Sequence, residues 1–439
     1  MTIYLAFKQI ATLLKFFFYF SLFLVSPLLG QTESSLLRIE RHLYRLASDE
    51  MTGRFPGTRG DTLAALYVRD ALLEYGYQPL AEEGLQSFTI NLTRVSQPVT
   101  ESIADPTQRS VVMGARNVPT FNVVMSLFGA VDSLCETIVL GAHYDHLGMG
   151  GQGSGSRKPN EVSVHYGADD NASGVVGIME VARALALHKD ELKRNIVVVA
   201  FGAEEQGILG SKEFVRYPVE GVGKIVLMYN LDMIGRMDTL RRLHIGGVGT
   251  FEGGEMFVQS LPNPHLFDLK LSKEGYGPSD HAAFYGSNIP VLYFNTGVHT
   301  DYHAPTDQID KIEGLRMVQI CDFIGEAALR MAIAQESPKF QKAGPSEVTQ
   351  QRTSFNVSLG IIPDFASTDS TGLRVDFVTE GRPAEKAGMK PGDVIKFINE
   401  KEVFNVYDYM KRLSELKTGE LIVVQVRRKE EMITLTVQL

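Results

Sequence analysis

Five short segments carry the residue types that could do chemistry. HYDHLG holds His143 and Asp145, GADDNASG holds Asp169 and Asp170, AEEQG holds Glu204 and Glu205, NLDMIGR holds Asp232, and DYHAPTD holds His303. Imidazoles and carboxylates without a thiolate suit zinc, with manganese or cobalt allowed by ligand type. Taken alone, the Asp169–Asp170 pair reads as a helix N-cap, with carboxylate charge on the positive end of the helix dipole, and a lone His143 reads as a hydrogen-bonded core histidine. The whole set reads differently, because several acids in one crevice repel each other unless cations neutralise them. Two divalent ions suit this number of ligands better than one: a carboxylate bridges them, and a His with a carboxylate is terminal to each.

The elements that must position these residues are legible as four short apolar runs, IVLGA (138–142), NIVVVAFGA (195–203), KIVLMYNLD (224–232) and IPVLYFNT (289–296). They read as buried strands of a parallel sheet. Between the first two, Val175, Ile178, Ala182 and Leu185 recur at helical spacing on one face. Such alternation predicts an α/β fold, and in open α/β sheets the ligand crevice lies beyond the carboxyl ends of the strands. Four of the five segments follow those strands, so they should converge, with Asp170 beside them.

The remainder of the chain bounds the reading. With 439 residues there is room for two or three domains, and a net charge of −9 gives no reason to expect a nucleic-acid partner. Lys8 and Lys15 precede FFFYFSLFLVSPLLG, an apolar run too short for a span and broken by Pro27. It reads as a secretory signal segment over 1–30, implying export to a periplasmic, extracellular or envelope location. The alternative is an uncleaved membrane anchor, since Leu28 is not the small residue that a cleavage site prefers. Cys135 and Cys321 are the only cysteines; their apolar neighbours suggest burial, and no disulfide framework is implied. A helix is expected from about Lys311 to Ala334, then a polar linker over 336–353, which closes a domain of 31–335 and opens a small β-rich one over 354–439. The Gly/Ser stretch 148–160 lacks a phosphate-loop pattern and reads as a loop beside the crevice.

In their order, HYDHLG, GADDNASG, AEEQG, LDM, EGYGPSDH and YHAPTD resemble the secreted co-catalytic zinc aminopeptidases, relatives of bacterial leucyl aminopeptidase and aminopeptidase Y. GRFPGTRG (53–60) is similar to the segment that opens many of these enzymes. The resemblance implies the zinc-exopeptidase fold, a mixed, largely parallel sheet flanked by helices, and two Zn2+ per chain. It implies that Asp170 bridges, that His143 and Asp232 complete one zinc, and that Glu205 and His303 complete the other. Glu204 would be the general base, Asp145 the carboxylate that orients His143, and Tyr276 a donor to the developing oxyanion. Asp169 is left to cap the helix, and His146, His165, His281 and His299 are left as structural or supporting residues near the motifs.

The C-terminal region resembles a PDZ domain, with SLGII (358–362) as its carboxylate-binding loop and strand and NVYDYMKRLSEL as the helix lining its groove. SLGI departs from the Gly-Leu-Gly-Phe form of that loop, so a peptide or protein C-terminus as ligand and a structural role both stay open. The leading expectation is an exported dinuclear zinc aminopeptidase acting on peptides. The rivals are a single-zinc glutaminyl cyclase or a carboxypeptidase or dipeptidase on the same fold, and an inactive binding protein.

Overall fold

The computed structural model describes residues 35–92, 116–129, 134–151, 154–343, 357–363, 371–378, 381–404 and 406–439. The expected signal segment lies outside them. Among the described residues no helix is long and apolar enough to cross a membrane.

The larger sheet contains β1 (Gln78–Pro79), β2 (Leu85–Leu92), β3 (Arg116–Leu127), β4 (Glu136–His143), β5 (Asn195–Phe201), β6 (Lys224–Leu231), β7 (Arg242–Gly246), β8 (Asp268–Leu271) and β9 (Val291–Asn295). Its order is β1-β3-β5-β4-β6-β9-β7-β8, with β2 paired to β3. The four expected strands are β4, β5, β6 and β9, and they lie side by side in mutually parallel register as β5-β4-β6-β9. Antiparallel β3 and β7 flank them, which makes the sheet mixed.

Every residue of β4 and β5 is buried, as strands covered on both faces require. Ile138, Leu140 and Ala142 share one core with Ile196, Val198 and Ala200, while Val139, Val197, Val199 and Phe201 point into another. Helix α1 (residues 35–46), α2 (Arg59–Glu74), α3 (Gly174–Ala186), α5 (Gly254–Gln259) and α7 (Gly314–Ile333) pack residues into the first core. The second is covered by α4 (Leu209–Arg216) and α6 (His281–Gly286) through Phe214 and Phe284. Each fully buried Val, Leu or Ile contributes about 1.5–3 kcal/mol, so β4 and β5, which carry site segments at their ends, are firmly anchored. Helix α7 starts later than the periodicity predicts, because the Glu313 N–H donates to Gly235 O at 2.9 Å and holds the preceding backbone out of the helix. Cys135 corrects the expectation of burial: it is exposed at φ +48 just before β4, while Cys321 is buried.

The smaller sheet is antiparallel, in the order β10-β11-β12-β14-β15: β10 (Ile361–Pro363), β11 (Leu373–Val378), β12 (Val394–Ile398), β14 (Leu421–Arg428) and β15 (Glu431–Gln438), with β13 (Lys401–Glu402) on β12. Helices α8 (Pro383–Lys386) and α9 (Val406–Ser414) complete a unit with its own core, in which Leu359, Val375, Ile395, Tyr409 and Val424 meet.

The polar stretch after α7 does not leave the larger domain at once. Ser337 Oγ donates to Glu136, Gln341 N–H to Thr250 O at 2.8 Å, and Ala343 exchanges two hydrogen bonds with the Tyr285 hydroxyl. Arg194, fully buried, donates to Ser337 Oγ as well as to Met331 O and Ala334 O. Residues 344–353 of the expected linker lie outside the described residues. A chain truncated after Ala343 is therefore expected to melt like the intact domain. One truncated after Gln335 leaves buried donors unpaired at about 1–3 kcal/mol each and should melt about 4–10 °C lower, at roughly 2–4 °C per kcal/mol, in a calorimetric comparison.

Candidate metal centre

The parallel strands deliver their C-terminal residues to one end of the sheet. His143 closes β4, Glu204 and Glu205 follow β5, Asp232 follows β6, and His303 lies in the segment after β9. Asp170 arrives from the side, in a wide π-type turn (Ala168–Ser173) that precedes α3. At Asp170 and Asn171 the backbone is not helical, and Asn171 Oδ1 accepts the Gly174 N–H at 2.9 Å. Asn171 thus does the capping expected of Asp169. The Asp169 carboxylate instead accepts the Gly235 N–H at 2.6 Å and faces His299 Nε2 at 3.1 Å.

Among the described residues, two groups of side chains could hold a metal ion: His143 with Asp170 and Asp232, and His146 with Asp170 and Glu205. Asp170 belongs to both. His143 Nε2 stands 3.3 Å from Asp170 Oδ1 and 3.5 Å from Asp232 Oδ1, and His303 Nε2 stands 3.1 Å from both Asp170 Oδ2 and Glu205 Oε2. Donors sharing a tetrahedral ion at about 2.0–2.1 Å stand roughly 3.3 Å apart, so both spacings suit ligation. His146 Nδ1 is 2.8 Å from Glu205 Oε1 but 3.8 Å from Asp170 Oδ2, the spacing of a hydrogen bond to Glu205. Asp170 Oδ2 is buried without a hydrogen bond, a costly state for a carboxylate oxygen unless a cation meets it. The donor set thus fits a divalent ion.

Electrostatics agree with that fit. Burial alone would lower His143 and His303, but Glu204 and Asp232 around the first and Glu205 and Asp170 around the second hold both well above the ordinary histidine range. Against burial, His143 and His303 pull Asp170 well below the usual carboxylate range, and His303 draws Glu205 to about 2. Glu204 goes the other way: burial, with Asp280, Glu205 and Asp232 nearby, pushes it well up despite His143.

Asp145 sits beside His143 but holds it differently from the expectation. His143 Nδ1 is 3.1 Å from the Asp145 backbone carbonyl and 3.7 Å from its carboxylate. The carboxylate instead accepts the Glu204 N–H at 2.8 Å and the Glu205 N–H at 3.2 Å, fixing the turn that presents both glutamates. His303 Nδ1 likewise faces Gly155 O at 3.2 Å, and the Arg157 N–H donates to His303 O at 2.9 Å, so the Gly/Ser loop steadies this imidazole. Tyr276 packs edge-on against Tyr285 with ring centroids 4.6 Å apart, and burial and Tyr285 raise its hydroxyl. The hydroxyls of Tyr302, whose ring stacks on His303 at 3.9 Å, and of Tyr293 feel the site carboxylates.

Arg54 was missed by the sequence reading although GRFPGTRG was singled out. Its fully buried guanidinium donates to Tyr144 O, Leu46 O, Tyr166 O and Gly167 O at 2.6–2.9 Å, joining the backbones next to His143 and ahead of Asp170. Gly53 before it has φ +73, and a Cβ there would stand 2.5 Å from Gly148 O. An arginine in a turn gives no sequence signal of which carbonyls it will meet. Of the four extra histidines, His146 supports Glu205 and His299 supports Asp169, while His165 bonds Ser156 and His281 stacks on Tyr293 at 4.3 Å.

Fold and donor set together describe a site for divalent ions at the carboxyl ends of parallel strands. Residues 122–328 match Peptidase family M28, and residues 350–439 match the PDZ domain. Aminopeptidase YwaD of Bacillus subtilis (strain 168) is 31% identical over 197 residues, covering 40% of this chain and 42% of that protein. Leucine aminopeptidase 1 of Uncinocarpus reesii is 30% identical over 276 residues, covering 58% of this chain and 66% of that protein. The matches thus span less than two thirds of either relative. The solved structure of a zinc aminopeptidase from Bacillus subtilis shares the fold, with a TM-score of 0.53 and 17% identity over 70% of this chain and 98% of that one.

The two adjacent aspartates should separate cleanly in experiment. Asp170→Ala is expected to lose most bound metal on gel filtration, while Asp169→Ala keeps the wild-type metal content at saturating ion and melts at a lower temperature. Equal metal loss in the two variants would contradict the assignment of Asp169 to Gly235 and His299.

Proposed function

We propose that this chain is an exported zinc aminopeptidase that holds two Zn2+ and removes N-terminal residues from peptides. The observation that carries the reading is the sharing of Asp170 between two His/carboxylate groups. The names of its relatives support the aminopeptidase class, and the apolar run after Lys15 supports export. His143, Asp170 and Asp232 would hold one ion, and Asp170, Glu205 and His303 the other. His146 is given the role of holding Glu205 by its free oxygen, because 2.8 Å is a hydrogen-bond spacing and the His303 spacings suit ligation.

Bound zinc would supply a Lewis acid that polarises the scissile carbonyl and acidifies a water to a pKa of about 7. Glu204, next to the ligands and itself unassigned to a metal, would accept a proton from the attacking water on its carboxylate and return it to the leaving amine, a role worth about 10²–10⁴-fold. Tyr302, whose ring stacks on His303 at 3.9 Å, would donate to the developing oxyanion; burial, Asp170 and Glu205 push its hydroxyl well above the ordinary tyrosine range. It takes the part that the sequence reading gave to Tyr276. The PDZ domain binds an extended peptide along β10, with the Ser358–Ile362 loop toward its C-terminus.

Zinc analysis combined with an assay on aminoacyl-anilides and on free and N-acetylated peptides tests the reading. About two zinc ions per chain and cleavage of free N-termini alone are expected; one ion, or cleavage of blocked peptides, would refute the dinuclear or the aminopeptidase part respectively. Glu204→Gln should keep its zinc and lose at least about 100-fold in kcat. Tyr302→Phe should lower kcat with little change in KM, the mark of a transition-state contact, whereas Tyr276→Phe should stay within about threefold of wild type.

A further inference from the structure

We infer that Asp307 is a positioning residue of the metal centre, setting where the shared Asp170 carboxylate stands by gripping the peptide that carries it. The inference rests on the metal-centre reading above. Asp307 is fully buried, four residues after His303. Its carboxylate accepts the Asp169 N–H at 3.1 and 3.0 Å and the Asp170 N–H at 3.0 Å, and its backbone carbonyl accepts the Ala168 N–H at 3.2 Å. Three consecutive N–H groups therefore converge on one residue from a distant part of the chain.

Those N–H groups precede α3, which starts only at Gly174, and the intervening Asp170 and Asn171 are non-helical. Successive N–H groups pointing the same way make an anion-binding concavity, here filled from within by a carboxylate. An ionised acceptor makes hydrogen bonds roughly twice as strong as a neutral one. The neighbouring Asp169 carboxylate is already engaged by Gly235 and His299. Because Asp307 holds the main chain and not the Asp170 carboxylate, both Asp170 oxygens stay turned to the imidazoles, Oδ1 to His143 at 3.3 Å and Oδ2 to His303 at 3.1 Å. The HAPTD segment thus supplies both His303 and the clamp on the carboxylate that His303 must meet, which ties the two to a common frame.

The test is zinc affinity of the purified full chain, measured by chelator competition for wild type, Asp307→Ala and Asp307→Asn, with melting of each zinc-free protein alongside. Asp307→Ala should weaken zinc binding by about 10–100-fold, the cost typical of losing a residue that orients a ligand. Asp307→Asn keeps one acceptor oxygen and should fall between the two. Lower zinc-free melting temperatures with wild-type zinc affinity would show a role in folding alone and overturn the inference. If Asp307→Ala does not fold, Asp307→Asn decides: weakened zinc supports the inference and wild-type affinity overturns it. A wild-type chain that binds no zinc overturns the metal-centre reading, and the inference with it.

Discussion

The constraint on which this structure turns is the burial of like charge at one end of a sheet. Strand order β5-β4-β6-β9 brings Glu204, Glu205, His143, Asp232 and His303 to adjacent strand ends, and Asp170 enters between them. Carboxylates this close and this buried repel strongly and forgo hydration. Asp170 shows the consequence at atomic scale: its buried carboxylate faces imidazole nitrogens, Oδ1 toward His143 at 3.3 Å and Oδ2 toward His303 at 3.1 Å, a setting that suits a bound cation. The fixed guanidinium of Arg54, lowered to about 10 by burial but held up by Asp145, Asp170, Asp307 and Glu205, offsets part of the same negative charge.

Around this cluster the supporting contacts fall mainly on the backbone. Asp145 accepts N–H groups of the two glutamates, Asp169 that of Gly235, Asn171 those of Gly174 and Met233, and Arg54 donates to four carbonyls. Holding main chain leaves the donor atoms of the side chains available, which a site needs if it is to be organised before its ion arrives. The two imidazoles follow one rule. Each turns Nδ1 to a carbonyl, Asp145 O for His143 and Gly155 O for His303, so that Nε2 is the nitrogen left facing the carboxylates.

The sequence alone made legible the class of fold and which strand-end segments would meet. Four apolar runs long enough for strands, separated by a helical period, can bury both faces only as adjacent parallel strands. Residues that follow such strands must then meet, whatever their separation in the chain. The small C-terminal domain was legible for a similar reason, since its strands and helices alternate sharply with turns. Tertiary structure decided everything that depends on which atom faces which. Asp169 and Asp170 are alike in type, and although the resemblance singled out Asp170, the non-helical turn before α3 is what sends it to the imidazoles and Asp169 to Gly235. Asp145 was found beside His143, but its carboxylate reaches the Glu204 and Glu205 amides. Tyr276 and Tyr302 both stand in motif segments, and ring stacking puts Tyr302 on His303 and Tyr276 on Tyr285. The polar residues 337–343, free of any periodic pattern, bind back through the Ser337 hydroxyl and through backbone groups that every sequence possesses. Periodicity records which face of an element is buried, because burial acts on side-chain type. Hydrogen bonds from the backbone and the direction of a single carboxylate leave no such record, and only the folded chain assigns them.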